Sequence, residues 1–597
     1  MAVKNYYFNN QQVTQILKET AAALEVKGEN RFRIRAYERA ATAVEHATVE
    51  VKDLWDEDKL TTLSGIGSNI AQHLSQLFEK GQVSHFKELK KNLPPAMFKF
   101  LEIPGIGPKT AFKLSQELGI KRTEGAIGRL KKAIKLKKIR KIEGFGEKSE
   151  QEILGNLKRN KKTDLKKRML LPYAWFLAQK VIDYLKPEKT VLQIEALGSL
   201  RRKVATVGDI DLAIASKKST KVIERLKKYP EIEKIVVAGK DTARFVLRSG
   251  KQVDLKIVSP ESYGALLQHY TGSKEHNIHL RKIAQSRGMS LSEYGIKFRG
   301  KLKRYRKEEE FYRALEMDWI PPELREDKGE VKAAMSGKLP NLVDENDIKG
   351  DLHLHSDFAI EPGHDLGQAS FEEILKKAKE LNYQYLGFSE HNPSLSRHSS
   401  AQAIDLVKKK REMIDEINYS LGKKLSIKVL NGLEIDIKKN GELAFPDEGM
   451  KHLDYAIASI HTNFSLTKKE MTDRVLKGLS HPKVRFLAHP TTRKLGEREG
   501  IELDWEQLFD FCKQNDKFLE ISSWPQRLDL PDFLVKQAVK SGVKMVINSD
   551  SHALSHLELM SYGVSVARRG WAQKSDILNT LEWSGFKKKF LKQDGTR

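Results

Sequence analysis

Residues 198–214, GSLRRKVATVGDIDLAI, decide the fold of the central part of this chain. The segment opens with a Gly-Ser turn and two arginines and ends in an apolar strand that carries Asp209 and Asp211. Residues two apart on a strand share one face, and two bare carboxylates side by side repel each other. A divalent cation between them removes that cost, and Mg²⁺ prefers carboxylate oxygens together with substrate phosphates. The segment therefore predicts a metal site that handles a phosphate-bearing substrate.

A third carboxylate, Asp254 in VDLKIV, follows on a strand that can align with the first. Three carboxylates can hold two metal ions, the arrangement used for in-line displacement at phosphorus. The turn at Gly198 and Ser199 offers backbone to a phosphate, and Arg202 offers a fixed charge to a triphosphate. An Asp-x-Asp pair alone is more often an acidic patch on a solvated edge strand, but this combination favours the metal site.

The composition indicates a soluble protein of about three to five domains. Of its 597 residues, 106 are Lys or Arg and 80 are Asp or Glu, so the formal charge is +26 and the pI about 9.6. Such a basic excess favours a polyanionic partner, most commonly nucleic acid. The alternative on charge alone is a merely basic solvated surface.

Cys512 is the single cysteine, which excludes a disulfide framework and a thiolate metal site. The start MAVKNYYFNN lacks a signal-peptide pattern, and no apolar run reaches the roughly 18–20 residues of a membrane span. We therefore expect a reducing cytoplasmic location without a membrane partner.

Residues 1–168 are predicted to be helical, with three Gly-x-Gly turns that recur at intervals of about 40 residues. Each turn precedes an amphipathic helix, and two lysines follow closely. The residues are Gly65 and Gly67, Gly105 and Gly107 with Lys109, and Gly144 and Gly146 with Lys148. Glycine lets the backbone approach a phosphate, and the following helix presents free N–H groups. These turns resemble helix-hairpin-helix motifs, which hold a DNA backbone without reading its sequence, and the basic residues 131–168 suit the same role.

Strand patterns occupy residues 190–258, with a hairpin turn at Ser249-Gly250, and helical patterns return over 260–318. Prolines, glycines and charges over 318–348 predict a linker. We expect domains at 1–88 and 89–168 (helical, DNA-binding), 169–259 (palm), 260–318 (thumb) and 348–597 (metal-dependent barrel), with a linker at 319–347.

GSLRRKVATVGDIDLAI, VDLKIV and LQHYTGSKEHNIHLR resemble the palm and thumb motifs of family X DNA polymerases, the polymerase-beta-like group. The resemblance extends from the amino-terminal helices to about residue 318. It implies an α+β nucleotidyltransferase palm with a helical thumb, and two Mg²⁺ ions (or Mn²⁺) at the three aspartates, with Asp254 activating the primer hydroxyl. It also implies Ser199, Arg202 and Gly208 on the nucleotide phosphates, Tyr270 and Gly272 at the sugar, and Asn277 and Arg281 at the nascent pair and template.

Three positions depart from the family pattern. Lys203 stands where a small residue is usual, and His269-Tyr270 replaces the usual Tyr-Phe. In family members with lyase activity, a lysine after the first hairpin forms a Schiff base, and His73 stands at that position here. Since imidazole cannot form the imine of a primary amine, we predict that lyase activity is absent. A monovalent cation is expected at the hairpin motifs.

Residues 349–597 contain seven short apolar strands separated by helical stretches, a pattern that predicts a barrel with its chemistry at the carboxyl ends of the strands. Six of the seven ends offer His, Asp or Glu. These residues are His353, His355, His391, Glu434, His461, His489, Asp550 and His552. Imidazole with carboxylate and no cysteine suits Zn²⁺, Mn²⁺ or Fe.

This half resembles the PHP domain, a seven-stranded barrel with a multinuclear metal site, which implies 3′→5′ exonuclease or related phosphodiesterase activity. The resemblance assigns metal-ligand roles to those eight residues, which would hold a cluster of Mn²⁺ or Zn²⁺ ions. Two positions differ from the family pattern. Ile360 falls where a ligand Asp is usual, so that Glu361 is the substitute, and Glu390 stands where Asp is more frequent.

The sequence therefore predicts a family X DNA polymerase that fills short gaps in repair, with a trailing phosphoesterase that trims 3′ ends. Its partners would be gapped or primer-template DNA and dNTPs, and the expected protein is a nucleoid-associated monomer. Three alternatives remain: a nuclease that uses the polymerase half as a DNA platform, a non-catalytic DNA-binding scaffold, and a nucleotidyltransferase for another acceptor.

Overall fold

A computed structural model describes residues 6–591, apart from 46, 48, 64, 104–105, 160–167, 361–365 and 395. The chain divides into two compact units. The first contains the residues up to 169 and two short pieces, 231–234 and 246–251, and the second contains the rest.

The described part of the first unit is helical up to Arg159, whereas its pieces 231–234 and 246–251 include the ends of two palm strands. Its α-helices are Asn10–Val26, Arg31–Glu45, Val51–Asp56, Ser68–Lys80, Ser84–Lys90, Pro95–Phe100, Pro108–Glu117, Ala126–Lys135 and Glu147–Arg159. They pack around two separate cores, one that includes Leu17 and Phe78 and one that includes Phe100 and Leu114. The amphipathic helices expected from the sequence are therefore confirmed.

Each of the three Gly-x-Gly turns leads into a helix. Gly65 and Gly144 adopt φ of +95° and +80°, a region that glycine occupies at little cost. Gly67 and Gly107 are the residues that precede the helices Ser68–Lys80 and Pro108–Glu117. The turns thus expose the first N–H groups of a helix, as the hairpin prediction requires.

The palm is a five-stranded sheet in the order β2-β4-β7-β6-β5. The palm strands are β1 (Met169–Leu170), β2 (Val191–Ala196), β3 (Thr206–Val207), β4 (Ile210–Ser216), β5 (Ile232–Ala238), β6 (Thr242–Leu247) and β7 (Gln252–Val258). Helices span Leu171–Leu185, Gly198–Arg201 and Ser219–Leu226. The central strands β4 and β7 are parallel, and their register places Asp211 directly beside Asp254.

The thumb contains the helices Tyr263–Thr271, Lys274–Ser286 and Glu308–Ala314. Between the second and third helix lies an antiparallel sheet of β8 (Met289–Ser292), β9 (Gly295–Phe298) and β10 (Lys301–Lys303), where the sequence predicted only helical patterns. Gly295 permits it, since a Cβ there would lie 2.0 Å from the carbonyl oxygen of Lys303. The short strands escaped prediction because turn residues separate runs of only three or four residues.

Residues 319–347, the predicted linker, carry a 3₁₀ turn at Pro322–Leu324, a short helix at Glu330–Met335 and a second 3₁₀ turn at Glu345–Asp347. Arg325 is fully buried and pairs with Glu308 of the thumb, which also bonds Arg201 of the palm. Burial opposes ionisation of Glu308, but the two arginines outweigh it and lower the pKa of this carboxyl to about 2. The segment is therefore packed in place, and the domain boundaries at 318 and 348 stay predictions.

The carboxyl-terminal half is a parallel barrel. Its strands are β11 (Gly350–Leu354), β12 (Tyr385–Phe388), β13 (Lys428–Asn431), β14 (Glu434–Asp436), β15 (Ala456–Ser459), β16 (Val484–Leu487), β17 (Phe518–Ser522) and β18 (Met545–Asn548). Its longer helices are Phe371–Glu380, Ser400–Ile417, Lys468–Leu479, Trp505–Gln514, Asp532–Ser541, Met560–Arg569 and Trp583–Phe590.

Two bridges join these strands into one ring. The His391–Glu434 bridge links β12 to β14, so that β13 and β14 form one interrupted strand, and Leu354–Ser551 links β11 to the end of β18. The described residues thus form the predicted seven-stranded ring, in which first and last strands meet. No described helix combines the length and apolarity needed to span a bilayer.

Candidate metal centres and nucleotide site

Asp209, Asp211 and Asp254 converge at the end of the palm sheet. Each offers a carboxylate oxygen, and these atoms lie within 4.8 Å of one another. Burial raises the pKa of Asp211 to about 7, and the charges of the other two aspartates add to that effect. Bound cations would relieve this repulsion, so the donor set fits Mg²⁺ or Mn²⁺.

The turn predicted to face a phosphate lies against these carboxylates. Gly198 adopts φ +58°, and a Cβ there would lie 2.6 Å from Oδ2 of Asp211. Only glycine therefore allows the turn to approach the aspartate this closely. Ser199 follows on the short helix Gly198–Arg201, and Gly208 is exposed immediately before Asp209.

The turn at Gly272 meets Arg202 next to this site. A Cβ on Gly272 would lie 3.2 Å from Nη1 of Arg202, and the same nitrogen donates to the carbonyl oxygen of Thr271 at 2.6 Å. The Nε of Arg202 lies 3.0 Å from Oε1 of Glu326. The structure thus brings the predicted phosphate and sugar residues together, and it adds an unforeseen carboxylate.

The remaining predicted nucleotide and template residues lie on the thumb helices. Tyr270 is half-buried. Burial is the main cause that raises its pKa, and the carboxylates of Glu293 and Asp211 add to the effect. Asn277 donates to the carbonyl oxygen of His269 at 2.7 Å. Arg281 is exposed, with its Nε 3.2 Å from the carbonyl oxygen of Asn277.

The described glycines of the helix-hairpin-helix motifs lie in turns or directly precede a helix. Lys109 is exposed on the helix Pro108–Glu117. Gly105 lies outside the described residues, and Lys148 is placed only as part of the helix Glu147–Arg159.

His73 lies on the helix that follows the first of these turns. Its Nδ1 lies 2.8 Å from the hydroxyl oxygen of Tyr37, and its ring stacks on His85 at 5.2 Å. Burial, followed by His85 and Arg33, lowers its pKa. A neutral, hydrogen-bonded imidazole lacks the primary amine of a Schiff-base nucleophile, so the absence of lyase activity stays our prediction.

The barrel gathers the predicted ligands at the carboxyl ends of its strands. Three overlapping groups each place ligand atoms within 4.8 Å of one another: His353, His355 and Asp550; His355, His391 and His552; and His391, Glu434 and His461. His489 lies outside these groups, but its Nε2 is 3.1 Å from Oε1 of Glu434.

The protonation of this cluster reflects its crowded charges. Burial disfavours ionisation of Glu434, but the neighbouring imidazoles, His391 foremost, hold its pKa well below the usual range. Burial and the nearby His552 lower the pKa of His355 far below normal. Burial and the guanidinium of Arg527 lower the pKa of His489 to about 4. Burial also opposes ionisation of His353, but the carboxylates of Glu520, Asp550 and Glu434 outweigh it and raise its pKa well above the usual range. His355 and His489 are thus neutral beside an ionised carboxylate, the state in which such groups bind metal ions.

Several buried atoms in the cluster find no hydrogen-bond partner among the described residues. They are Nε2 of His353, both ring nitrogens of His355 and Nδ1 of His489, whereas Oε2 of Glu434 lies 2.9 Å from Nδ1 of His391. Leaving buried polar atoms unsatisfied is costly, and metal ions would satisfy them. The donor set of imidazoles and carboxylates fits Mn²⁺ or Zn²⁺. Glu361 lies outside the described residues, whereas Ile360 is fully buried in the barrel core.

Comparison with known proteins places these two centres in one family. Four family descriptions match: a helix-hairpin-helix domain over residues 8–83, a SAM-like helix-hairpin-helix tandem over 99–159, the DNA polymerase beta thumb over 266–326 and the PHP domain over 351–523. A "DNA polymerase/3'-5' exonuclease PolX" of Bacillus subtilis is 33% identical over 576 residues, 96% of this chain and 97% of that protein. The chain belongs to the family X DNA polymerases with a PHP domain.

Other relatives match one half each. A DNA polymerase lambda of Arabidopsis thaliana is 26% identical over 48% of this chain and 54% of its own length. A "Probable phosphatase" of Acetivibrio thermocellus is 26% identical over 34% of this chain and 78% of its own length. The resemblances inferred from the palm motifs and from the strand ends of the barrel are thus confirmed at the level of the family.

Two carboxylates that sequence analysis missed orient histidines of this family X barrel. Oε1 of Glu520 lies 2.8 Å from Nδ1 of His353, and Oδ1 of Asp436 lies 2.7 Å from Nδ1 of His461. Such partners fix the ring orientation and raise ligand basicity. Glu520 stands in the middle of the strand FLEIS, and an acidic residue in a fully buried strand is the signal that could have found it.

A buried lysine supports the unusual Glu390. Lys410, from the helix Ser400–Ile417, is fully buried and donates to the carbonyl oxygens of Phe388 at 2.9 Å and Gly432 at 2.8 Å. It also pairs with Glu390, which accepts from Oγ of Ser356 at 2.6 Å. This lysine thus fixes the side chain of Glu390, which is one methylene longer than the aspartate of the family pattern, directly before His391.

Replacing Glu520 by glutamine is expected to weaken metal binding by the barrel about 10- to 100-fold, the range seen for outer-shell partners. The neutral amide no longer polarises the His353 imidazole. Titration of the purified variant with Mn²⁺ would measure the change, and Glu506→Gln, an exposed glutamate on Trp505–Gln514, is the matched control. Unchanged affinity in the Glu520 variant would contradict the assignment.

Proposed function

We propose that the chain fills short gaps in duplex DNA by templated nucleotide addition and that its barrel removes nucleotides from 3′ ends. The observation that carries this proposal is the convergence of Asp209, Asp211 and Asp254 beside the turn that bears Arg202. The name of the Bacillus subtilis relative, which pairs both activities, supports it.

In the polymerase centre, the three aspartates would hold two Mg²⁺ ions, with Mn²⁺ as a substitute. Bound ions would neutralise charge on the phosphates and acidify the attacking hydroxyl. Asp254 is assigned to accept the proton of the primer 3′-hydroxyl, and its carboxylate is oriented by Nε of Arg244 at 2.7 Å. Gln252 donates to its other oxygen at 2.7 Å.

The neighbouring residues would orient the nucleotide. Ser199, Arg202 and Gly208 are assigned to its phosphates, and Tyr270 with Gly272 to its sugar. Asn277 and Arg281 are assigned to the nascent pair and the template. These assignments rest on the positions described above and on family membership.

In the barrel, the eight histidine and acidic residues, together with Glu361, are assigned to a Mn²⁺ or Zn²⁺ cluster. Such a cluster would supply a hydroxide and clamp a phosphodiester. Arg527 places its Nε 3.9 Å from Oδ2 of Asp550, which gives the centre a cation suited to a scissile phosphate.

The helical unit would hold the DNA backbone through its three hairpins, and a monovalent cation at these turns is part of the proposal. We further infer that the protein works as a monomer on chromosomal DNA in the cytoplasm.

Single-nucleotide addition on a duplex with a one-nucleotide gap, with Mg²⁺ and each dNTP in turn, tests the polymerase. Addition of the complementary nucleotide alone supports the proposal. If the protein binds DNA but adds no nucleotide, the proposal is overturned. The alternative, a nuclease that uses the polymerase half only to bind DNA, would then be favoured. Shortening of the same primer with Mn²⁺ and no dNTP tests the barrel.

An exposed phenylalanine predicts how the helical unit contacts the DNA bases. Phe32 is 80% exposed on the helix Arg31–Glu45, beside the exposed Arg31, Arg33 and Arg35. An aromatic ring within a basic surface suits base stacking, and Phe32→Ala is therefore expected to weaken gapped-DNA binding about tenfold. A fluorescence-anisotropy titration measures it, with the 84% exposed Tyr419→Ala as control. Equal affinities for the two variants would contradict the prediction.

A further inference from the structure

The carboxylate beside Arg202 comes from outside the palm. Oε1 of Glu326, in the predicted linker that follows the thumb, lies 3.0 Å from Nε of Arg202. The side chain of Arg202 is only 14% exposed, so this ion pair is poorly screened by water. An anion thus contacts the guanidinium that the proposed function assigns to a triphosphate.

A barrel arginine contacts the same carboxylate oxygen. Nη1 of Arg569, the last residue of the helix Met560–Arg569, lies 3.0 Å from Oε1 of Glu326 and donates to the carbonyl oxygen of Arg202 at 2.7 Å. Its Nε and Nη2 lie 3.0 and 2.8 Å from Oδ2 of Asp532. The barrel therefore reaches into the surroundings of the nucleotide site.

Charge alternates along this chain of contacts: Arg202, Glu326, Arg569 and Asp532. Two arginines offset two carboxylates, and the single charge of Glu326 is shared between both arginines. Without Arg569, Glu326 would pair with Arg202 alone and offset the whole charge of its guanidinium. A guanidinium whose charge is already offset attracts an incoming triphosphate less strongly.

The same turn of the palm carries Lys203, one of the departures from the family pattern. Lys203, where the family pattern has a small residue, places its Nζ 3.6 Å from the ring centre of Trp175. Burial lowers the pKa of this lysine, an effect that the carboxylates of Glu323 and Glu345 only partly offset. Ala205 of the same turn packs against the barrel core. The departure from the family pattern thus lies where the palm meets the barrel.

We propose that Arg569 of the barrel is a positioning residue of the polymerase centre, which keeps Arg202 available to the incoming triphosphate by sharing the charge of Glu326. The inference rests on the proposed function, because Arg202 acts on the triphosphate only if the chain adds nucleotides.

The test is steady-state single-nucleotide addition on a gapped duplex by the full-length protein. Arg569→Gln is expected to raise the KM for dNTP about tenfold, within the usual range for coupled sites, and to leave kcat within about twofold. Arg568→Gln is the matched control, since Arg568 bonds Glu323 at 2.8 Å and the carbonyl oxygen of Val343 at 3.0 Å, away from Arg202. Equal KM values for the two variants would overturn the inference.

Measuring Arg569→Gln in an E326Q background separates positioning from loss of structure. With no carboxylate to share, the effect of Arg569→Gln is expected to shrink below about threefold, the sign of direct coupling. The same tenfold effect in both backgrounds would contradict the inference. If Arg569→Gln does not fold, Arg569→Lys replaces it, because lysine keeps the positive charge but lacks the planar group with several N–H donors. This variant should raise the KM for dNTP about threefold. A KM equal to that of the wild type would contradict the inference.

Arg202→Gln distinguishes failure of the inference about Arg569 from failure of the proposed role of Arg202 in triphosphate binding. If it raises the KM for dNTP while Arg569→Gln does not, only the present inference fails. If it leaves the KM unchanged, the assignment of Arg202 to the triphosphate fails, and the inference fails with it.

Discussion

Asp209→Asn is expected to reduce templated addition to a gapped duplex about 10³-fold, because a two-metal clamp contributes several kcal/mol and each 1.4 kcal/mol is a factor of ten. An amide cannot balance the charge of two cations. Asp209 is exposed and precedes β4, so the substitution should leave the fold intact. Primer extension with Mg²⁺ and the complementary dNTP measures the loss.

Asp241→Asn is the matched control, since Asp241 is an exposed aspartate of the same sheet region that belongs to no metal group in the described residues. Mn²⁺-dependent primer shortening should survive in both variants. Retention of templated addition by the Asp209 variant would remove the aspartate cluster from the mechanism.

The second large effect is expected in the barrel. His355 belongs to two of the three ligand groups and is almost completely buried. His355→Asn should therefore release bound metal and slow primer shortening about 10²-fold or more, because the nucleophile and the phosphate clamp both depend on the ions. Elemental analysis of the purified protein gives the metal content, and a 3′-labelled primer reports the cleavage rate.

His452→Asn controls for loss of a histidine elsewhere in the barrel, since His452 is part of no ligand group among the described residues. Gap filling should be unchanged in both variants. Full metal content and cleavage in the His355 variant would show that the cluster is structural.

The palm site was predictable because its chemistry is local in sequence. A strand fixes the spacing of Asp209 and Asp211, and the parallel register of β4 and β7 brings Asp254 beside Asp211. The barrel ligands were predictable for a related reason, since a parallel barrel collects the carboxyl ends of its strands on one face. Secondary-structure geometry brought each set of side chains together, and the family resemblance assigned their roles as metal ligands.

What escaped prediction depends on packing between distant residues. Whether Lys410 is a surface lysine or a buried anchor is decided by the strands beneath its helix, and the pattern of that helix does not reveal it. Glu326 and Arg569 meet only because the barrel docks against the palm. The strands β8–β10 of the thumb are too short for their periodicity to stand out among turn residues.

The closure of the ring through Leu354 and Ser551 has a consequence for the order in which the protein matures on the ribosome. Domains generally fold as they emerge, and the aspartates of the palm emerge long before the last barrel strand. The metal cluster draws on both β11 and the residues after β18, so it cannot assemble until His552 has been translated. A nascent chain would therefore be able to extend a primer before it can shorten one. A chain clipped at its carboxyl end would extend a primer and be unable to shorten it.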